Sequence, residues 1–302
     1  MFEKIFLITR KTRLAELIER FNTVGQARFY IEHAGGEFAE YEDEDLVYRK
    51  AAEATRRQLP EELKLQVLDR ELVPTVLFTA KDLIVTLGQD GLVANVAKYV
   101  QGQPMVAVNP DPKRFDGILM PFLPQDVGEV VAETLRGRTK SREVTMAEAR
   151  LNDGQRVLAF NDLFIGASTH VSARYRISLE GKSEQQSSSG ILVSTGAGST
   201  GWISSVFNMA RGLGQSNLER VKMSWEDARL FFVTREPFVS RHSSAGLLNG
   251  YIADGRELVV ESTMASGGCV FSDGVQQDSV EFNAGAILRV YRSQQKARLI
   301  VA

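Results

Sequence analysis

Cysteine is almost missing from this chain. Cys269 stands alone in 302 residues, which excludes an internal disulfide and a thiolate metal cluster and leaves it to be read as a small core residue. Histidine is nearly as scarce. His33, His170 and His242 are scattered without ligand spacing, so a zinc site is not expected and no metal-ligating residue is assigned. No apolar run approaches the roughly 18 residues of a membrane span. The start, MFEKIFLITRKTR, lacks the order of a secretory signal, so the expectation is a cytoplasmic protein without a membrane partner. Neither sign of charge dominates: 36 basic residues face 38 acidic ones, which gives no electrostatic reason to expect nucleic acid.

What is there is enough apolar material, 43% of residues, for one large domain or two ordinary ones. The first third alternates apolar runs with helical spacing. KIFLIT reads as a strand, RLAELIERFN and EDLVYRKAAEATRRQL as helices, DLIVTL (82–87) as a buried strand, LVANVAKYV as a helix and PMVAVN (104–109) as the next strand. Such alternation argues for a parallel sheet covered on both faces. The acidic tract EFAEYEDED (37–45) reads as a solvated loop or helix start, since it lacks the alternation of a calcium loop. After a proline-rich stretch, DVGEVVAETLRG reads as a last helix. From about Val144 the pattern becomes short strands separated by turn signals such as Asp153-Gly154 and Glu180-Gly181. The expectation is therefore an α/β N-terminal domain with a parallel sheet, residues 1–123, and a β-rich, β-sandwich-like C-terminal domain, residues 124–302.

Two stretches carry chemistry. In VTLGQDGLVANVAKY, Gly88-Gln89-Asp90-Gly91 falls where a strand ends and a helix begins, where backbone N–H groups and the helix N-terminus suit phosphate oxygens. An aspartate in that turn would repel a phosphate if positioning were its only role. It makes sense if it accepts a proton from an attacking hydroxyl or holds Mg²⁺ against the phosphates; equally, Asp90 could simply cap the helix. The second stretch, SGILVSTGAGSTGW (189–202), contains the spacing G-x-G-x-x-G. A dinucleotide-binding turn of that pattern needs a βαβ context, and here it sits in the β-rich half, so that reading is set aside. Asn161-Asp162, in AFNDLFIG, reads by itself as a polar bulge at a strand start.

Taken together, these pieces resemble the NAD kinase family. Gly88, Asp90 and Gly91 match its G-G-D-G-T turn, and Asn161 its Asn-Glu pair, with Asp162 for glutamate. Gly190, Val193, Ser194, Thr195, Gly198, Ser199 and Thr200 match its G-D-G-L-I-V-S-T-P-T-G-S-T-A-Y segment, with Trp202 for tyrosine. PMVAVN looks like its P-V-L-G-V-N strand and Asp273-Gly274 like its late D-G-Q turn; the resemblance covers roughly residues 80 to 300. It implies an NAD kinase-like fold and the phosphorylation of the adenosine ribose 2′-hydroxyl of NAD by ATP or polyphosphate with Mg²⁺, giving NADP. Asp90 would be the general base. Gly88, Gln89 and Gly91 would hold phosphates, Asn161 and Asp162 the adenosine, and Thr195, Gly198, Ser199 and Thr200 would line its cleft. Ser189 would lie at the nicotinamide end. The partners implied are small-molecule nucleotides and further copies of the chain, as a dimer or tetramer.

The chain departs from that family at Gln89, where the second glycine is expected, at Leu92 for threonine and at Ser189 for an aspartate. Gly196-Ala197 replaces proline and threonine, which predicts a more mobile loop. The chain also stops at KARLIVA, short of the helical tail of many members. Two other readings stay open at this point: a lipid or sphingoid-base kinase, whose superfamily shares a G-G-D-G turn, and a catalytically silent nucleotide-binding protein.

Overall fold

The computed structural model describes residues 2–215, 217 and 219–302. The chain divides into two compact units, one running to Ser141 and taking in Arg298–Ala302, the other Arg142–Ala297.

The first unit is α/β. Its elements are β1 (Lys4–Thr9), α1 (Arg13–Phe21), α2 (Val24–His33), α3 (Phe38–Gln58), β2 (Lys64–Asp69), β3 (Asp82–Leu87), α4 (Asp90–Ala97), β4 (Pro104–Val108) and α5 (Val127–Leu135). The strands form a parallel sheet in the order β2-β1-β3-β4, and Arg298 and Leu299 pair in parallel outside β4. Every residue of β3 and β4 is buried, as expected of a parallel sheet covered on both faces. Ile5, Leu7, Val85, Leu87, Val106 and Val108 share one core with Tyr48 and Ala51 of α3 and with Val127 and Val131 of α5. That packing is why the first unit extends past residue 123, the division expected from the sequence: α5 buries its apolar stripe on the parallel sheet. The acidic tract is helix from Phe38 onward and opens α3.

The second unit holds β5 (Ser141–Leu151) from Arg142 on, β6 (Arg156–Ala159), β7 (Asp162–Ala167), β8 (Ala173–Leu179), β9 (Lys182–Ser188), β10 (Ile191–Ser194), α6 (Trp202–Gly212), β11 (Leu230–Thr234), β12 (Asn249–Ile252), β13 (Leu258–Ser262), β14 (Gly268–Ser272), β15 (Val275–Glu281) and β16 (Ile287–Ile300) as far as Ala297. One antiparallel sheet runs β12-β11-β10-β7-β14-β15. The other joins β16-β13-β8-β9, with β5 beside β16 and β6 beside β5. Alternate residues of both sheets meet in a single core, among them Leu163, Ile165, Tyr175, Ile177, Ile191, Val193, Phe232, Val260 and Val290. This period of two is the signature of a β-sandwich. The opposite face of the six-stranded sheet is covered by α6, through Leu192, Ile203, Phe207 and Phe231, and carries Asp162, Phe164 and Ser194.

Candidate functional site

In the first unit, the carboxyl ends of β1, β3 and β4 lie side by side, the edge at which parallel α/β sheets bind ligands. β3 ends at Leu87, Gly88 is buried with its N–H on the Val108 carbonyl (3.3 Å), and Gln89 is the exposed N-cap of α4. Asp90 is the first residue of that helix. Its Oδ1 accepts the Leu119 N–H at 2.7 Å, which ties the loop after β4 to the glycine turn. Its second oxygen has no hydrogen-bond partner among the described residues. Nothing lies within 4 Å of a Cβ built on Gly91, so the space over the helix start is open. The residues predicted to hold phosphate thus form one turn around Asp90.

In the second unit, Ser194 and Asp162 are cross-strand neighbours on β10 and β7. Asp162 is 8% exposed, and its Oδ1 has no partner. Burial pushes its carboxyl from an ordinary 3.8 up to about 7. The Ser194 hydroxyl and the Trp202 N–H pull the other way, and the nearby Asp273 carboxylate adds to the rise. Asn161 is half-buried and its side-chain amide has no hydrogen-bond partner among the described residues. The backbone under this pair is fixed from elsewhere. Asp273 accepts the N–H groups of Phe160 (3.0 Å), Asn161 (2.7 Å) and Asp162 (3.1 Å), from a hairpin turn in which Asp273 and Gly274 have φ of 51° and 73°. The Asp-Gly pair is legible as a turn and resembles the family's late turn; that the Asp273 carboxylate reaches back to Asn161 has no local signal, and sequence reasoning gave Asp273 no place in the site.

The turn Gly196–Gly201 follows β10 in an antiparallel sheet, with no parallel βαβ unit around it. Thr195 is fully buried. Its hydroxyl donates to the Phe160 carbonyl at 2.6 Å and accepts the Gly198 N–H at 3.2 Å, so it shapes the turn. The Ser199 hydroxyl is turned back on the Gly196 carbonyl (2.7 Å), while Thr200 is exposed. Glycine is needed here for close approach: a Cβ on Gly196 would lie 1.7 Å from the Ser224 carbonyl oxygen, and one on Gly198 2.2 Å from that of Asn161. The backbone of Gly198 therefore presses directly on Asn161. Beside the turn, Trp202 stacks on Phe164 (5.8 Å, 11°) with the Arg235 guanidinium over its ring at 5.3 Å. Ser189 is exposed and its N–H is held by the Arg235 carbonyl at 2.9 Å.

This chain is 24% identical over 303 aligned positions to mitochondrial NAD kinase 2 of Xenopus tropicalis, covering 72% of this chain and 70% of that protein. The chain is thus similar, at a distance, to the NAD kinase family. No family model matches it. Its fold is that of two solved NAD kinase-family structures. An NAD kinase from Archaeoglobus fulgidus, in complex with ATP, superposes with a TM-score of 0.59 at 16% identity, covering 99% of this chain and 93% of that one. Yeast NADH kinase, complexed with NADH, gives 0.60 at 17% identity, covering 100% and 84%. Among the described residues, no helix is long and apolar enough to cross a membrane.

Proposed function

We propose that this protein is a kinase that transfers a phosphoryl group from ATP, or polyphosphate, to the 2′-hydroxyl of the adenosine ribose of NAD or NADH. The observation that carries the reading is Asp90: a half-buried carboxylate at the carboxyl edge of a parallel sheet, anchored through one oxygen and with the other unpartnered. The relationship to proteins named NAD kinase and NADH kinase supports the substrate class.

An alcohol is a poor nucleophile near neutral pH, so the unpartnered oxygen of Asp90 takes its proton as the bond to phosphorus forms and the terminal phosphoanhydride bond breaks, releasing ADP or the shortened polyphosphate. The Leu119 N–H holds the other oxygen and so fixes the direction of the carboxylate. Gly88, Gln89 and Gly91 supply the turn in which the phosphates lie, with the space over Gly91 admitting them closely. The free amide of Asn161 and the carboxyl of Asp162 hold the adenosine, and the Gly196–Gly201 turn shapes that pocket. No cluster of three or more His, Cys, Asp or Glu side chains forms a cation cage among the described residues. With both Asp90 oxygens assigned, Mg²⁺ would be held by the substrate phosphates and water, an arrangement this ion readily takes. When bound, Mg²⁺ neutralises phosphate charge.

The test is NADP or NADPH formation from NAD or NADH, with ATP or polyphosphate and Mg²⁺, by the native chain and by Asp90→Asn. The variant is expected to bind dinucleotide nearly unchanged while turnover drops at least about 100-fold, the scale of a lost general base. Near-normal turnover in the variant removes Asp90 from this role. Binding without turnover in the native chain replaces the kinase with a silent nucleotide-binding protein, and turnover of diacylglycerol or sphingosine alone makes it a lipid kinase.

A further inference from the structure

Three arginines of the first unit gather on one buried carboxylate. Glu44, on α3 and 5% exposed, receives Arg10 Nη2 at 3.1 Å, Arg13 Nε as a short contact, and Arg114 Nη1 at 3.6 Å. Burial alone would raise the Glu44 carboxyl, and the hydrogen bonds from Arg13 and Arg10 outweigh it and hold it below the ordinary carboxylate range. Arg10 follows the end of β1 directly. Its backbone N–H donates to the Tyr48 hydroxyl (2.9 Å), which donates to the Leu87 carbonyl (2.8 Å), the residue before the glycine turn. Arg114 sits in the loop after β4, the same loop whose Leu119 N–H is held by Asp90. The cluster and the glycine turn thus share the carboxyl edge of β1, β3 and β4.

The arrangement leaves donors unspent. A guanidinium carries five N–H donors. Arg114 makes its two ion pairs, to Glu44 and Asp111, at 3.6 Å, and its guanidinium forms no hydrogen bond among the described residues although its side chain is only 34% exposed. Arg13 commits Nε to Glu44 and lies over the Tyr41 ring at 4.5 Å, which leaves both terminal nitrogens without a protein partner. Arg10 is held most firmly, by Glu44, by the Lys11 carbonyl and between the rings of Tyr48 and Phe115, yet its buried Nε has no partner. Lys11, by contrast, is spent on Glu19 and Glu71. Glu44 acts as the peg that fixes these forks, and planar forks with spare donors are suited to phosphate oxygens.

We propose that Arg13 and Arg114, positioned by Glu44 and backed by Arg10, bind the phosphate chain of the phosphoryl donor, a triphosphate or longer polyphosphate. This deepens the kinase reading given above and rests on it for the word donor. Binding is measured by titration calorimetry of the full chain with inorganic tripolyphosphate, and then the KM values for ATP and for the dinucleotide are compared. Arg114→Gln and, separately, Arg13→Gln are expected to weaken tripolyphosphate binding about tenfold or more, the scale of lost charge-assisted hydrogen bonds. The same variants are expected to raise the KM for ATP while leaving the dinucleotide KM unchanged, with Arg114→Lys recovering part of the loss. Thermal unfolding of Arg114→Gln close to the parent shows that the effect is not one of folding. Tripolyphosphate that fails to bind the native chain, or binds both glutamine variants as well as the parent, overturns the proposal even if NADP is made. Loss of tripolyphosphate binding in a protein that phosphorylates no dinucleotide leaves this site standing and removes the kinase reading instead.

Discussion

Replacing Asp162 by asparagine isolates the cost of a buried carboxyl. The group is 8% exposed, one oxygen lacks a partner and Asp273 stands nearby, so its pKa lies at about 7 in place of 3.8. Below the ordinary value both folded and unfolded chains carry the proton, and the group contributes nothing to pH dependence. Between 3.8 and about 7 the folded chain keeps a proton that the unfolded chain has shed, so stability from this group falls as pH rises. Above about 7 both states are ionised and the full cost stands. At 1.36 kcal/mol for each pKa step, that cost reaches about 4 kcal/mol. Asp162→Asn removes the charge at nearly constant shape. Its Tm is expected to match the parent near pH 4 and to exceed it by on the order of 10 °C at pH 8.5, taking 2–4 °C per kcal/mol for a unit of this size. The assay is thermal unfolding of both proteins across that pH range, with the protonated-carboxyl band in difference infrared spectra as a direct check near neutrality. A difference in Tm that does not change with pH, or a parent that loses no stability relative to the variant between pH 4 and 8.5, refutes the reasoning.

Three further substitutions test the second unit. Asp273→Ala strands three backbone N–H groups under Asn161 and Asp162 and is expected to destabilise the chain by about 3 kcal/mol in urea unfolding; a loss below about 0.5 kcal/mol would show that the backbone there does not depend on it. Gly196→Ala drives a methyl group into the Ser224 carbonyl and is expected to cost about 2–3 kcal/mol, with the opposite outcome, a neutral or stabilising change, marking the turn as adaptable. Ser189→Asp is expected to tighten NAD binding in calorimetry by about fivefold at most, since the position is exposed; unchanged affinity places the nicotinamide end elsewhere.

Elements whose burial decides their composition were legible in the chain. DLIVTL and PMVAV are buried on every residue, and their unbroken apolar runs coincide with β3 and β4. The sandwich strands alternate because one face meets the shared core. What escaped notice lies where burial makes no demand. KSEQQSS and VQQDSVE, which form β9 and β15, end their respective sheet orders, as KLQVLD does in β2. An edge strand is held by the ladder to one neighbour, and polar side chains serve it well. AILRVYRS and KARLIVA are separated by polar residues, yet they form one strand from Ile287 to Ile300. Asp90 was legible because strand, turn and helix are contiguous around it. The arginines on Glu44 were not, because Arg10, Glu44 and Arg114 are joined by packing and are far apart in sequence.

The glycines of residues 196–198 show why a substitution pattern has to be read through space. Gly196 and Ala197 in place of proline and threonine at such a turn suggest a freer backbone. In the folded chain Gly196, Ala197 and Gly198 are buried, and the missing Cβ atoms are where the carbonyls of Ser224 and Asn161 stand. The same absence of side chain that increases the entropy of the unfolded turn lets it lie against Asn161 from one side while Asp273 holds that residue's N–H from the other. The carbonyl of Asn161 also receives the Thr195 N–H at 2.9 Å, so contacts from two segments, residues 195–198 and the Asp273 carboxylate, converge on the residue whose side chain has been left free. The departure at Gly196 thus packs the turn on the Ser224 carbonyl, while the contact on Asn161 comes through Gly198, which matches the family pattern.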